Sequence, residues 1–238
     1  MTFMRTNLLS RTSVIVVSLA LNSAMSLTAA TSYDPAAGFS TTTNPNGVWS
    51  YGYYDSPGSP LILHTQTTNF NGIDVLMTNV NSNVPNAMFN PTASSITYST
   101  LTMNPGGFAI HPGPSLLSVA RFTAPSAVDL HILGSFFGYD TGGTTTDVHL
   151  YNNNGLSVFD GLVSGYGPGS GPSFDLTLSL SAGEHLDFAV GPNGDFRSDS
   201  TGITAELTVV PEPSSALMLV SGCVMLLTAR RRTSNRQS

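Results

Sequence analysis

Lysine is absent from all 238 residues, and the stretch 31–210 holds only two basic residues, Arg121 and Arg197. Thirteen of the fourteen acidic residues lie in that same stretch, giving it a formal balance of −11. Nucleic-acid binding needs a basic face that releases counterions from phosphate, so that class is excluded. Schiff-base and P-loop chemistry go with it, because both need a lysine. Cysteine is nearly as scarce, Cys223 being the only one. No intramolecular disulfide can form, and the body of the chain has no cysteine nucleophile. Cys223 itself sits among apolar residues, where a lone cysteine behaves as a small hydrophobe; lipidation is the other reading of it. A G-x-S-x-G elbow and an H-E-x-x-H helix are also missing. A glycosidase would need two carboxylates across a cleft, and nothing in the sequence selects a pair.

What is present starts with Arg5 and Arg11, followed by an apolar run over 14–21 and small residues as far as Ala29 and Ala30. That order reads as a secretory signal peptide over 1–30, handled by the secretory translocon and signal peptidase. Its 8-residue apolar core is far shorter than the roughly 20 residues a bilayer span requires. The expected cleavage lies near Ala30, with Ser26 as the second choice.

Between the two ends the periodicity is that of strands. Phe174, Leu176, Leu178 and Leu180 alternate with Asp175, Thr177 and Ser179, and Leu186, Phe188 and Val190 repeat the alternation after a turn at Ala182 and Gly183. Further strands are legible over 116–122, 128–136, 146–151, 156–163 and 203–209. No 12-residue helical pattern competes before the tail. The expected fold is all-β, an antiparallel β-sandwich of jelly-roll type spanning 31–208 as one domain, with 31–103 less regular and rich in Asn.

Three groups of residues are candidates for chemistry. Trp49, Tyr51 and Tyr53 share one strand phase and could form a stacking platform for sugar rings, although aromatics on one face also build cores. Asp140, Asn193, Asp195 and Asp199 are oxygen ligands on Gly-rich loops, the chemistry a structural calcium ion asks for; turns favour the same residue types without an ion. Asp129 and His131, Asp147 and His149, and His185 and Asp187 are each spaced by two, so each pair shares a strand face. Metal ligation or acid–base work is one reading of these pairs, and a hydrated outer face is the other.

The far end carries Pro211, Glu212 and Pro213, then 16 uncharged residues over 214–229, then Arg230, Arg231, Arg232 and Arg236. As a helix the apolar segment rises about 24 Å, and arginine stems that snorkel to the headgroups complete a short transmembrane span with 233–238 as a cytoplasmic tail. The prolines keep the preceding residues extended. This arrangement over 209–232 resembles the PEP-CTERM sorting signal of Gram-negative bacteria, also catalogued as the ice-binding protein C-terminal domain. The resemblance implies processing by exosortase, an integral-membrane cysteine protease-like transpeptidase acting near the triplet. It also implies transient residence in the inner membrane, then delivery to the cell surface or extracellular matrix. Residues 110–207 are similar to a module recurrent in exported bacterial proteins, and the overall pattern resembles carbohydrate-binding jelly rolls, a likeness of fold that does not itself carry function.

The leading expectation is a non-enzymatic, surface- or matrix-targeted protein that binds or structures extracellular polysaccharide. A secreted glycan hydrolase using two carboxylates and a plain matrix or coat component are the alternatives.

Overall fold

A computed structural model describes residues 30–79 and 84–211. The leader as far as residue 29, Glu212, Pro213, the apolar segment 214–229 and Arg230, Arg231 and Arg232 lie outside the described residues. The described residues form strands and no helix, and none of them makes a helix long and apolar enough to cross a membrane. The first half supplies β1 (Ser32–Tyr33), β2 (Trp49–Tyr54), β3 (Ile62–Leu63), β4 (Gln66–Phe70), β5 (Ile73–Met77), β6 (Asn86–Phe89), β7 (Ile96–Tyr98) and β8 (Leu101–Met103). The second half supplies β9 (Phe108–His111), β10 (Leu117–Thr123), β11 (Val128–Gly138), β12 (Asp147–Asn152), β13 (Ser157–Leu162), β14 (Ser173–Leu180), β15 (His185–Gly191) and β16 (Thr201–Val209).

Every strand pairing is antiparallel. Strands β9 to β16 form two four-stranded layers, β14-β11-β16-β9 and β13-β12-β15-β10, in the connectivity of a jelly roll. The N-terminal strands widen both layers. Strands β6, β5 and β4 continue the first sheet beyond β9, while β2 and β3 continue the second beyond β10. Residues 31–103 extend the same sandwich with short strands, two residues each in β1 and β3 and three each in β7 and β8.

The alternation explains the core. Leu130, Ile132 and Phe136 of β11 meet Phe122 of β10 and Leu186 and Phe188 of β15 in one cluster between the sheets. A second cluster lies on the opposite face of the first sheet, where Ile73, Val75, Met77 and Met88 receive Leu101 and Met103 from the β7–β8 hairpin. The outer face of the second sheet is covered in a different way. The β2–β3 connection reaches over it to the β12–β13 turn, so closely that a Cβ on Gly155 would stand 2.6 Å from the Gly58 nitrogen. Tyr54, Val119, Tyr151 and Ala189 form a third cluster there.

Candidate functional site

The β7–β8 hairpin shapes the most informative cleft. Tyr98 pairs with Leu101, so its turn has two residues, Ser99 and Thr100. Leu101 and Met103 point into the apolar cluster on the sheet. Tyr98 instead stacks on Phe70 at the end of β4, with ring centroids 4.6 Å apart and planes 8° from parallel, and remains 39% exposed. Beneath this aromatic pair opens a cleft of about 230 Å³, whose other wall is polar: Thr100, His111, Asp140, Ser198 and Ser200. The cleft thus lies at the seam between the N-terminal strands and the jelly roll, and takes side chains from both.

Its polar wall is rigid because it is hydrogen-bonded. Asp140 follows β11 and accepts from the Thr100 hydroxyl at 2.6 Å on Oδ1 and from the Ser200 N–H at 2.6 Å on Oδ2. One carboxylate therefore ties the hairpin turn, the end of β11 and the start of β16 together. His111 Nδ1 lies 2.8 Å from the Pro112 carbonyl oxygen, which can only accept, so Nδ1 carries the proton. Nε2 is left to accept the Asp199 N–H at 3.4 Å. Burial holds the imidazole below its ordinary pKa and hence neutral. Asp199 accepts the N–H and hydroxyl of Thr145 on Oδ1, and its buried Oδ2 has no partner among the described residues. Burial pushes its carboxyl up to about 6, against the lowering effect of the Thr145 donors.

Of the two readings of Trp49, Tyr51 and Tyr53, a surface platform is contradicted by their burial and the core reading holds for the first two. Trp49 and Tyr51 are 2% and 0% exposed, packed with Phe122, Phe188 and Phe108 in the core, and the Tyr51 hydroxyl donates to the Pro35 carbonyl at 2.6 Å. Tyr53 is half-buried against the His64 ring. Their shared phase was that of a core, because the inward side of β2 is the side that packs.

The four residues read as calcium ligands divide. Asp140 and Asp199 are buried and engaged as described above, whereas Asn193 and Asp195 lie on an exposed turn. There the Asn193 N–H donates to Asp147, and Asp195 stands 3.5 Å from Arg197. Among the described residues no group of three or more His, Cys, Asp or Glu is placed to hold a metal ion.

Two of the three His–Asp pairs occupy neighbouring strands on the outer face of the second sheet, since β12 pairs with β15. His149 is held between two carboxylates, Asp147 at 2.9 Å and Asp160 at 2.5 Å. Burial alone would lower its pKa, but the hydrogen bonds to both aspartates prevail and raise it. Asp187 is taken by Arg121 in a bidentate pair at 2.6 and 2.7 Å, with His185 3.9 Å away. The third pair sits on β11 in the other sheet and parts company, His131 going to Asp175 and Asp129 to Ser179.

Sequence reasoning missed Phe70, Tyr98, Ser99, Thr100, His111, Ser198 and Ser200. A signal for the hairpin exists in the apolar positions Ile96, Tyr98, Leu101 and Met103, but its turn carries Ser and Thr where hairpins usually carry Gly or Asn.

The chain matches no protein-family model and no curated protein. Among solved structures it is similar to the CBM51 module of Clostridium perfringens GH95 solved with methyl-galactose, at 18% identity and TM-score 0.33, covering 49% of this chain and 85% of that one. It is also similar to a family 35 carbohydrate-binding module from Clostridium thermocellum, at 13% identity and TM-score 0.29, covering 52% and 92%. A third is the Podospora anserina GH26-CBM35 β-(1,4)-mannanase, at 16% identity and TM-score 0.30; the match spans 52% of this chain and 29% of that enzyme. At these scores no ligand or site is carried across.

Proposed function

We propose that this chain is an exported, non-enzymatic glycan-binding sandwich, delivered to the cell surface or extracellular matrix through its PEP-CTERM-like tail, and that it holds neutral polysaccharide in the cleft under the β7–β8 hairpin. The observation that carries the reading is the pairing, in one cleft, of an exposed stacked aromatic ring with a wall of hydroxyl, imidazole and carboxylate groups. A sugar offers the complementary surfaces, an apolar ring face and a rim of hydroxyls.

Charge narrows the ligand. Arg121 is locked to Asp187, which leaves the exposed Arg197 as the one cation of the stretch 31–210 able to meet an acidic polymer against its formal −11. What favours binding over turnover is that both Asp140 oxygens and both His111 nitrogens already have partners. Those bonds give both groups a structural task in the wall, which fits holding a ligand.

The test is retention of the purified protein on dextran, mannan, galactan and cellulose, with alginate as the acidic comparison and reducing-end release as the assay for turnover. Tyr98→Ala should weaken retention on the preferred neutral polymer about tenfold, equivalent to about 1.4 kcal/mol, with the circular dichroism unchanged. Retention on no neutral polymer, equal binding by the variant, or release of reducing ends would each overturn the proposal. Delivery is read separately: Glu212→Ala should leave the protein in the inner membrane, and unaltered mass and location of the released form would refute the sorting reading.

A further inference from the structure

Backbone conformation at the cleft points to two residues that the proposed function does not by itself single out. Among the described residues, fifteen positions have positive φ. Eleven are Gly, which adopts this region without steric cost, and two are Asn71 and Asn193, of the residue type that best tolerates it after Gly. The other two are Ser99 and Ser198, each with φ of 55°. They lie on different segments, one in the hairpin turn and one just ahead of β16, and both line the same cleft. A two-residue hairpin turn with positive φ at its first position normally has Gly there, so Ser99 departs from the unstrained choice.

Neither hydroxyl is needed to hold the fold. Ser99 Oγ has no hydrogen-bond partner among the described residues. Ser198 Oγ receives only a 3.4 Å contact from Thr100, whose hydroxyl is committed to Asp140 at 2.6 Å. Residues held in a sparsely populated backbone region gather at ligand clamps, where the surrounding structure enforces the conformation. We infer that Ser99 and Ser198 are specificity-determining residues, whose hydroxyls bind the sugar's hydroxyl rim while Tyr98 covers the ring face. This inference rests on the glycan-binding reading of the cleft.

Glycine separates the two roles because it suits the backbone and removes only the hydroxyl. Ser99→Gly and Ser198→Gly should each leave the thermal midpoint of the ligand-free protein unchanged or raise it by up to about 4 °C. Affinity for the best-retained of dextran, mannan and galactan should fall at least fivefold in each variant, and Ser99→Asn, which keeps a polar group in the same backbone region, should recover part of the loss. Wild-type affinity in both glycine variants, while the wild type binds and Tyr98→Ala is weakened about tenfold, would overturn this inference alone. A wild type that binds none of the polymers would overturn it together with the proposed function.

Discussion

Replacing Trp49 with alanine tests whether the aromatic segment of β2 is core or ligand platform. The side chain is 2% exposed. It packs edge-on to Phe122 at 5.6 Å and against Phe188 at 6.0 Å, and its ring lies so near Gly38 that a Cβ there would come 2.2 Å from Cδ1. A buried aromatic removes about 150–250 Å² from water, worth about 4–6 kcal/mol at about 25 cal/mol per Å². Measured truncations of this kind cost about 3–5 kcal/mol. In a domain of this size each kcal/mol moves the midpoint by about 2–4 °C, so Trp49→Ala should melt about 6–20 °C below wild type in a circular-dichroism scan. Because Trp49 is the only tryptophan in the chain, its fluorescence reports this one site. Emission should be blue-shifted, poorly quenched by acrylamide and unmoved when a neutral polymer saturates the cleft. A variant that melts within about 2 °C of wild type yet no longer binds polymer would refute the burial argument and return Trp49 to the surface.

Arg121→Met strands Asp187, whose side chain is 3% exposed, and should cost about 3–5 kcal/mol in urea unfolding, whereas Arg121→Met with Asp187→Leu should recover most of it; a single-variant loss below about 0.5 kcal/mol would contradict the role given to the pair. The His149 clamp predicts a pH signature through its raised pKa. A raised folded value stabilises fully below the ordinary histidine value of 6.5 and is lost as pH rises through the folded value. The stability difference between wild type and His149→Ala should therefore be larger at about pH 6 than at about pH 9, and a difference independent of pH across that range would count against the clamp.

Legibility differed along the chain for physical reasons. Strand β14 announced itself because one face lies on the core and the other is exposed, and β15, though covered on both sides, kept a legible period of two because His185 and Asp187 stand on its outer face. Strands β4 to β8 did not, since β5 and β6 are covered on both sides, by the main core and by the hairpin cluster, and so lose their polar phase. Phase grouped Trp49, Tyr51 and Tyr53 correctly and left core and platform both open, because it carries no information about which side of β2 faces inward; burial of Trp49 and Tyr51 decides for the core. Asp140 and Asp199 looked like hard-cation ligands because Gly-rich loops present oxygen. What satisfies Asp140 is a hydroxyl and a backbone N–H brought from positions 40 and 60 residues away, and pairings at such separations leave no local trace. The cleft was invisible for the same reason, being assembled across the seam from segments between Phe70 and Ser200.

The position of that seam bears on how sorting and binding fit together. Strand β16 starts at Thr201, next to the cleft residues Ser198 and Ser200, and ends at Val209, just before Pro211. Nine residues at about 3.4 Å each separate the two by about 30 Å. The N-terminal side of the body is at the same end as the tail, because the Val209 N–H donates to the Thr31 carbonyl at 2.9 Å and β1 pairs with Leu207 and Thr208 near the end of β16. On the proposed sorting, the leader and the tail both join the sandwich at the end of β16, and the cleft residues Ser198 and Ser200 precede its start. Processing near Pro211 would then take place about 30 Å along β16 from Ser198, so that sorting and binding need not compete for the same surface.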